Sequence, residues 1–138
     1  MKSSKLDILC VLLSILILLL ASTSSASGRT QAVYDIINKP IVTGSGSTLS
    51  LGQVETLLRR AAEAKGWTVN RIEDGHIVAK IRVRKHYAAI DIRFGMTRYS
   101  ITYSDSKLLK YDGTEIHRNY NKWIKLIDMN VKQRLLLQ

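Results

Sequence analysis

From Leu51 onward the apolar side chains fall at helical spacing. Leu51, Val54, Leu57, Leu58, Ala61 and Ala62 recur three and four residues apart, with Glu55, Arg59, Arg60, Glu63 and Lys65 on the remaining face. Ser50 and Gln53 stand in the capping-box relation: a serine hydroxyl accepts from the third helical N–H, and the glutamine side chain returns to the serine N–H. Gly66 suits the left-handed position that closes a helix, so the pattern predicts a helix over 51–65.

The period then changes from helical to two. Trp67 and Val69 open a first strand, and Asp74-Gly75 signals a two-residue hairpin because both positions tolerate positive φ. Ile77, Ala79, Ile81 and Val83 share one face of a second strand, and Ala88, Ile90, Ile92 and Phe94 share one face of a third. Apolar parity passes from odd to even between them, which demands a turn or bulge within Arg84–Tyr87. After a turn over 95–98, Tyr99, Ile101 and Tyr103 line a fourth strand. Asp112 as N-cap with Glu115 at the third position predicts a second helix, striped by Ile116, Tyr120, Trp123, Ile124, Ile127, Val131 and Leu135. The expected fold is α+β: a two-layer sandwich of a four-stranded antiparallel meander with both helices on one face, in the order α-β-β-β-β-α.

The N-terminus adds a compartment. Lys2 and Lys5 precede an apolar run from Ile8 to Ala21, followed by the small residues Ser22–Ser27, which is the layout of a secretory signal. The run is shorter than the roughly 20 residues a membrane-spanning helix needs. Ser24 and Ala26 place the expected cleavage after Ala26; the alternative is an inner-membrane tether formed by an uncleaved signal. Cys10, the single cysteine, lies within the apolar run rather than after it, so it does not match a lipoprotein anchor, and a cleaved chain carries no thiol. The expected organisation is a signal over 1–26, an extended and partly mobile leader over 27–49, and a single domain over 50–138. Within the leader, Val33, Ile36 and Ile41 could pin an edge strand.

Charge narrows the partners. The chain carries a formal net charge of +10, and after cleavage 19 basic residues would face 10 acidic ones. Such a balance favours anionic lipid, lipopolysaccharide or an acidic envelope protein, while export removes the chain from most nucleic acid. Lys80, Arg82 and Arg93 on the outer sheet face, with Arg84 and Lys85 at the adjoining turn, are the candidate anion-binding residues. The plainer alternative is a solvated polar face with Asp91 paired across strands.

A second cluster surrounds the connection into the last helix. Tyr103, Asp105, Ser106, Tyr111, His117, Tyr120 and Asn121 could line a small-molecule pocket or, since a serine, a histidine and a carboxylate are among them, a weak hydrolase site. Neither G-x-S-x-G nor H-E-x-x-H occurs, and His76, His86 and His117 lack metal-ligand spacing. No catalytic residue, metal or cofactor is therefore assigned, and a non-enzymatic binding or accessory module is the expectation.

Four segments carry a resemblance: Gly66-Trp67; Tyr99-Ser-Ile-Thr-Tyr-Ser-Asp-Ser106; Tyr111; and Ile116-His-Arg-Asn-Tyr-Asn-Lys-Trp-Ile124. With their Y-x-D-S and Y-N-x-W motifs they resemble a family of small uncharacterised proteobacterial periplasmic proteins and lipoproteins, over about residues 40–135. The resemblance implies periplasmic exposure and the helix, meander, helix order, and brings no activity or ligand. Some relatives are lipidated; this chain departs from them in having no cysteine after its apolar run.

Overall fold

The computed structural model describes residues 28–138, so the expected signal over 1–26, its cleavage point and Cys10 lie outside the described residues. In chain order the elements are β1 (Thr30–Ala32), β2 (Ile36–Pro40), α1 (Leu51–Glu63), β3 (Thr68–Glu73), β4 (His76–Val83), β5 (His86–Phe94), β6 (Arg98–Lys107), β7 (Glu115–His117) and α2 (Arg118–Leu136). An antiparallel five-stranded sheet runs β2-β6-β5-β4-β3, and β1 pairs with β7 in a separate ribbon.

The α+β class holds, and the two helices share one apolar core with a single face of the sheet. Val54, Leu57, Leu58, Ala61 and Ala62 of α1 and Tyr120, Ile124, Ile127, Val131 and Leu135 of α2 are buried in it. Ile77, Ala79, Ile81, Ala88, Ile90, Ile92 and Ile101 meet them from the sheet. The four-stranded meander is corrected: the edge strand that Ile36 was expected to pin pairs as a fifth strand, β2, and the extra ribbon joins β1 of the expected leader to β7, in the stretch expected to open the second helix. Ile36 pairs with Ile101 and Lys39 with Tyr99, around an irregularity where Asn38 adopts φ 50°. Only Ile36 of β2 is fully buried and Pro40 ends the strand, so no alternation marks it in the sequence.

Three local corrections follow from hydrogen bonding. Helix α2 starts at Arg118, not near Asp112, because the Asp112 carboxylate accepts the N–H groups of Thr114 and Glu115 in a turn that feeds β7. An aspartate that caps a turn and one that caps a helix satisfy the same kind of donor, and spacing alone does not separate them. The helix is capped instead by His117, whose Nδ1 accepts the Asn119 N–H at 3.2 Å. In β6, Ala89 faces Asp105 while Ile90 faces Tyr103, so Ser104 is an inserted residue. Parity flips there, placing Ser106 on the helix side with Ala88 and Asp105 on the open side with Ala89. Lastly, Val83, expected inside, is 39% exposed beside the Arg84-Lys85 turn.

Asn121 fastens the N-terminal segment to α2. Buried on the helix, it accepts the Tyr34 N–H at 2.9 Å and donates to the Ala32 carbonyl at 2.8 Å. Asp128 does the same two turns later: it accepts from the Tyr99 hydroxyl and from the Lys39 ammonium, each at 2.6 Å. Burial, then the hydrogen bond to Asp128, pushes the Tyr99 phenol well above its ordinary range.

Candidate functional site

The open face of the sheet holds part of the expected cationic patch. Lys80 lies opposite Ala89 and Arg82 opposite Tyr87, with the Arg82 guanidinium 5.5 Å from the Tyr87 ring centre. Arg93 stands apart from them, opposite His76 and four residues beyond Ala89, about 13 Å along the strand. Between them Asp91 receives His76 Nε2 at 2.6 Å, so a carboxylate interrupts the row. Around Ala89, whose methyl is almost fully covered, the face dips into a shallow depression of about 360 Å³ walled by Ile72 and Tyr87 and rimmed by Lys80 and Asp105. The five expected anion-binding residues thus do not form one site: Arg93 is divided from Lys80 and Arg82, while Arg84 and Lys85 belong to the hairpin tip.

The residues of the second cluster separate according to the bulge at Ser104. Tyr103 stacks on Tyr111 with ring centres 4.1 Å apart and meets Tyr120 edge-on at 5.8 Å. Its hydroxyl is 2.9 Å from Ser106 Oγ. The rings pack on one another, and Tyr111 is 41% exposed at the outside of the stack. Asp105 lies on the opposite sheet face and accepts the Ser106 N–H; Asn121 holds the N-terminal segment; His117 caps α2. Ser106 therefore hydrogen-bonds a phenol rather than an imidazole, and the histidine and carboxylate that would activate it are spent on backbone N–H groups.

Tyr120 has no hydrogen-bond partner for its buried hydroxyl, and burial raises its pKa. An unpaired buried hydroxyl has lost water without replacement, so Tyr120→Phe is expected to stabilise the protein by about 1 kcal/mol. A rise in the urea midpoint checks this; a fall would mean the hydroxyl is satisfied.

The third locale lies at one end of the sandwich, where the Arg84-Lys85 turn, the end of β6 and the start of α2 converge. His86 Nδ1 is 2.8 Å from the Leu108 carbonyl, the His117 N–H donates to the Leu109 carbonyl at 2.7 Å, and the Arg118 N–H donates to the Arg29 carbonyl at 2.9 Å. The rings of His86 and His117 stack with centres 6.5 Å apart. Arg29, Lys107, Lys110 and Arg118 thereby join Arg84 and Lys85, and among the described residues none of the six forms an ion pair with a carboxylate. Two carboxylates of the adjoining loop and ribbon are engaged elsewhere: Asp112 takes backbone N–H groups, which lower its pKa, and Glu115 accepts from the Thr30 hydroxyl. The four new cations are dispersed in sequence, and only the short spacing of Lys107 and Lys110 after a strand hints at them.

Burial, followed by the charges of Arg118, His86, Lys110 and Arg29, holds the His117 imidazole below its ordinary pKa. The unfolded chain then binds this proton more readily than the folded one, so protonation favours unfolding. Stability contributed at His117 is present at neutral pH and is lost as pH falls through the unfolded value of about 6.5. His117→Asn retains an N-cap without a titrating ring. It is expected to flatten the fall in unfolding free energy between about pH 7 and 5, measured against the parent chain; an unchanged slope would place the titration elsewhere.

Comparison with protein-family models, with curated proteins and with solved structures finds no match. Among the described residues no helix is long and apolar enough to cross a membrane, and no three His, Cys, Asp or Glu side chains converge as a metal site. The two motifs behind the family resemblance do meet in space: Tyr103 of Y-x-D-S packs edge-on against Tyr120 of Y-N-x-W. The structure gives both a packing role at the sheet-to-helix corner.

Proposed function

We propose that this is an exported envelope protein, released into the periplasm by cleavage near Ala26, which acts as a non-enzymatic binding or accessory module for an anionic envelope component. We place it with the small proteobacterial periplasmic proteins whose motifs it resembles. The observation that carries the reading is the concentration of six unpaired cations at one end of the domain, on a chain whose net charge is already strongly positive. Unpaired surface cations gathered on rigid elements raise the local concentration of phosphate- and carboxylate-bearing partners. The alternative pocket or hydrolase finds less support, because Ser106 and His117 are hydrogen-bonded to other groups.

The test is retention of the protein, purified from the envelope with its native N-terminus, on envelope fractions. Binding that falls as salt rises is the expected result, since exposed charges are screened within about 10 Å at 0.1 M salt. Retention indifferent to salt, or none, would sink the reading. Intact mass fixes the cleavage point in the same preparation.

A further inference from the structure

We infer that the basic end is a membrane-docking face and that its occupant is an anionic phospholipid bilayer, with Leu108 as the apolar contact. This deepens the proposed function and rests on it. Charge alone would suit any polyanion; the feature that selects a bilayer is an exposed apolar side chain on the same loop as Lys107 and Lys110. Leu108 is 62% exposed, whereas its neighbour Leu109 is buried in the core. The pair is thus split, one leucine anchoring the loop from within and the other standing outside it.

The backbone holds that arrangement. Leu108 adopts φ 59° and Lys110 φ 55°, the left-handed region that non-glycine residues enter only against a steric penalty. The Leu108 carbonyl is held by His86 and the Leu109 carbonyl by the His117 N–H, so the loop is tied at the exposed leucine and at the residue after it. Lys107 and Lys110 flank it, with Arg84, Lys85, Arg29 and Arg118 on neighbouring segments. An exposed apolar side chain flanked by long cationic ones matches a headgroup layer: the leucine reaches toward acyl chains and the ammonium and guanidinium groups meet phosphates. Tyr111, half exposed beside them, has the amphipathic ring favoured at that depth.

The course of the chain agrees. Arg29 sits on this same end, and the apolar run stops at Ala21. The seven residues from 22 to 28 span at most about 25 Å when fully extended. A chain still attached to its apolar run would carry this end to the bilayer surface.

The experiment is sedimentation of the purified protein with vesicles of phosphatidylcholine alone and of phosphatidylcholine mixed with phosphatidylglycerol. Binding is expected only to the mixed vesicles. A cation near an anionic surface contributes about five-fold in partitioning, so the double variant Lys107→Ala, Lys110→Ala is expected to lose roughly 30-fold. Leu108→Ser is expected to lose about ten-fold. The control double variant Lys80→Ala, Arg93→Ala on the sheet face should lose far less than the Lys107, Lys110 pair. All three leave the core intact, and unchanged urea midpoints confirm it. Equal losses from both double variants, or no loss from Leu108→Ser, would overturn the docking face. If the parent ignores mixed vesicles yet is retained salt-sensitively by lipopolysaccharide or an envelope protein, the bilayer is the wrong occupant and the broader function survives. If it is retained by neither, both fall.

Discussion

Ile90→Ala is expected to remove about 4 kcal/mol of stability, the largest loss from any single truncation considered. Ile90 lies on β5, the middle strand of the five, with Ala79 opposite it on β4 and Tyr103 on β6. It is fully buried against the helices, and Ala88 lies two residues before it on the same face. Small neighbours make the loss severe: two alanines carry too little side chain to collapse into the space, so the cavity persists and adds to the lost transfer free energy. Urea unfolding should show a lower midpoint at unchanged slope, because the surface exposed on unfolding is nearly the same. Val83→Ala, at the half-exposed end of β4, is the contrasting case and should change stability by less than about 0.5 kcal/mol. Equal losses at the two positions would mean that the core does not lie where these strands place it.

Gly75→Ala is expected to cost about 3 kcal/mol for two separable reasons. Gly75 turns the β3–β4 hairpin at φ 75°, where a Cβ is strained. Independently, a Cβ at this site would lie 2.7 Å from the Phe94 carbonyl oxygen, a backbone atom that cannot swing aside. Gly46 separates the two effects. It has a similar φ of 74°, but a Cβ there meets nothing within 4 Å, so Gly46→Ala carries the conformational strain alone, about 1 kcal/mol. Thermal or urea unfolding of the pair therefore measures the clash by difference, and two equal losses would show that no clash exists.

The sequence exposes those parts of the fold whose pattern is periodic over a whole element. Helix α1 starts at its expected residue with its Ser50–Gln53 cap, both hydrogen bonds of the box present, and ends at Glu63, two residues before the expected 65. The Asp74-Gly75 and Arg84-Lys85 turns fall where parity and turn chemistry put them. Failures lie where one residue answers to two rules. Asp112 fits a helix cap and a turn equally, and the turn wins because β7 must first pair with β1. Ser104 is invisible as an insertion because serine is unremarkable on a polar face, yet it sends Asp105 and Ser106 to opposite sides and takes the expected pocket apart. Of the residues expected to pin an edge strand, Ile36 is deeply buried in β2, while Val33 and Ile41 lie outside it.

Of the candidate sites, Arg84 and Lys85 were legible because they sit together at a turn. The remainder of the basic end was not, since Arg29, Lys107, Lys110 and Arg118 meet only after β7 folds back on β1 and the end of β6 reaches the β4–β5 turn. Charge patterns that arise from tertiary folding leave no spacing to read. Tyr120 and Asn121 show the reverse: both were pocket candidates, but Tyr120 fills the corner, as its place in the helical stripe predicts, and Asn121 ties down the N-terminal segment.

That tie bears on the order of assembly. The first strands among the described residues to leave any translocation pore or ribosome have partners 65 to 87 residues later: Thr30 pairs with His117, Ile36 with Ile101, and the Tyr34 amide with Asn121. Loops spanning most of the molecule must close before these contacts repay their entropy, which makes them late events. The opening segment is therefore left waiting, open to chaperones or proteases, until the final helix emerges and seals it in place.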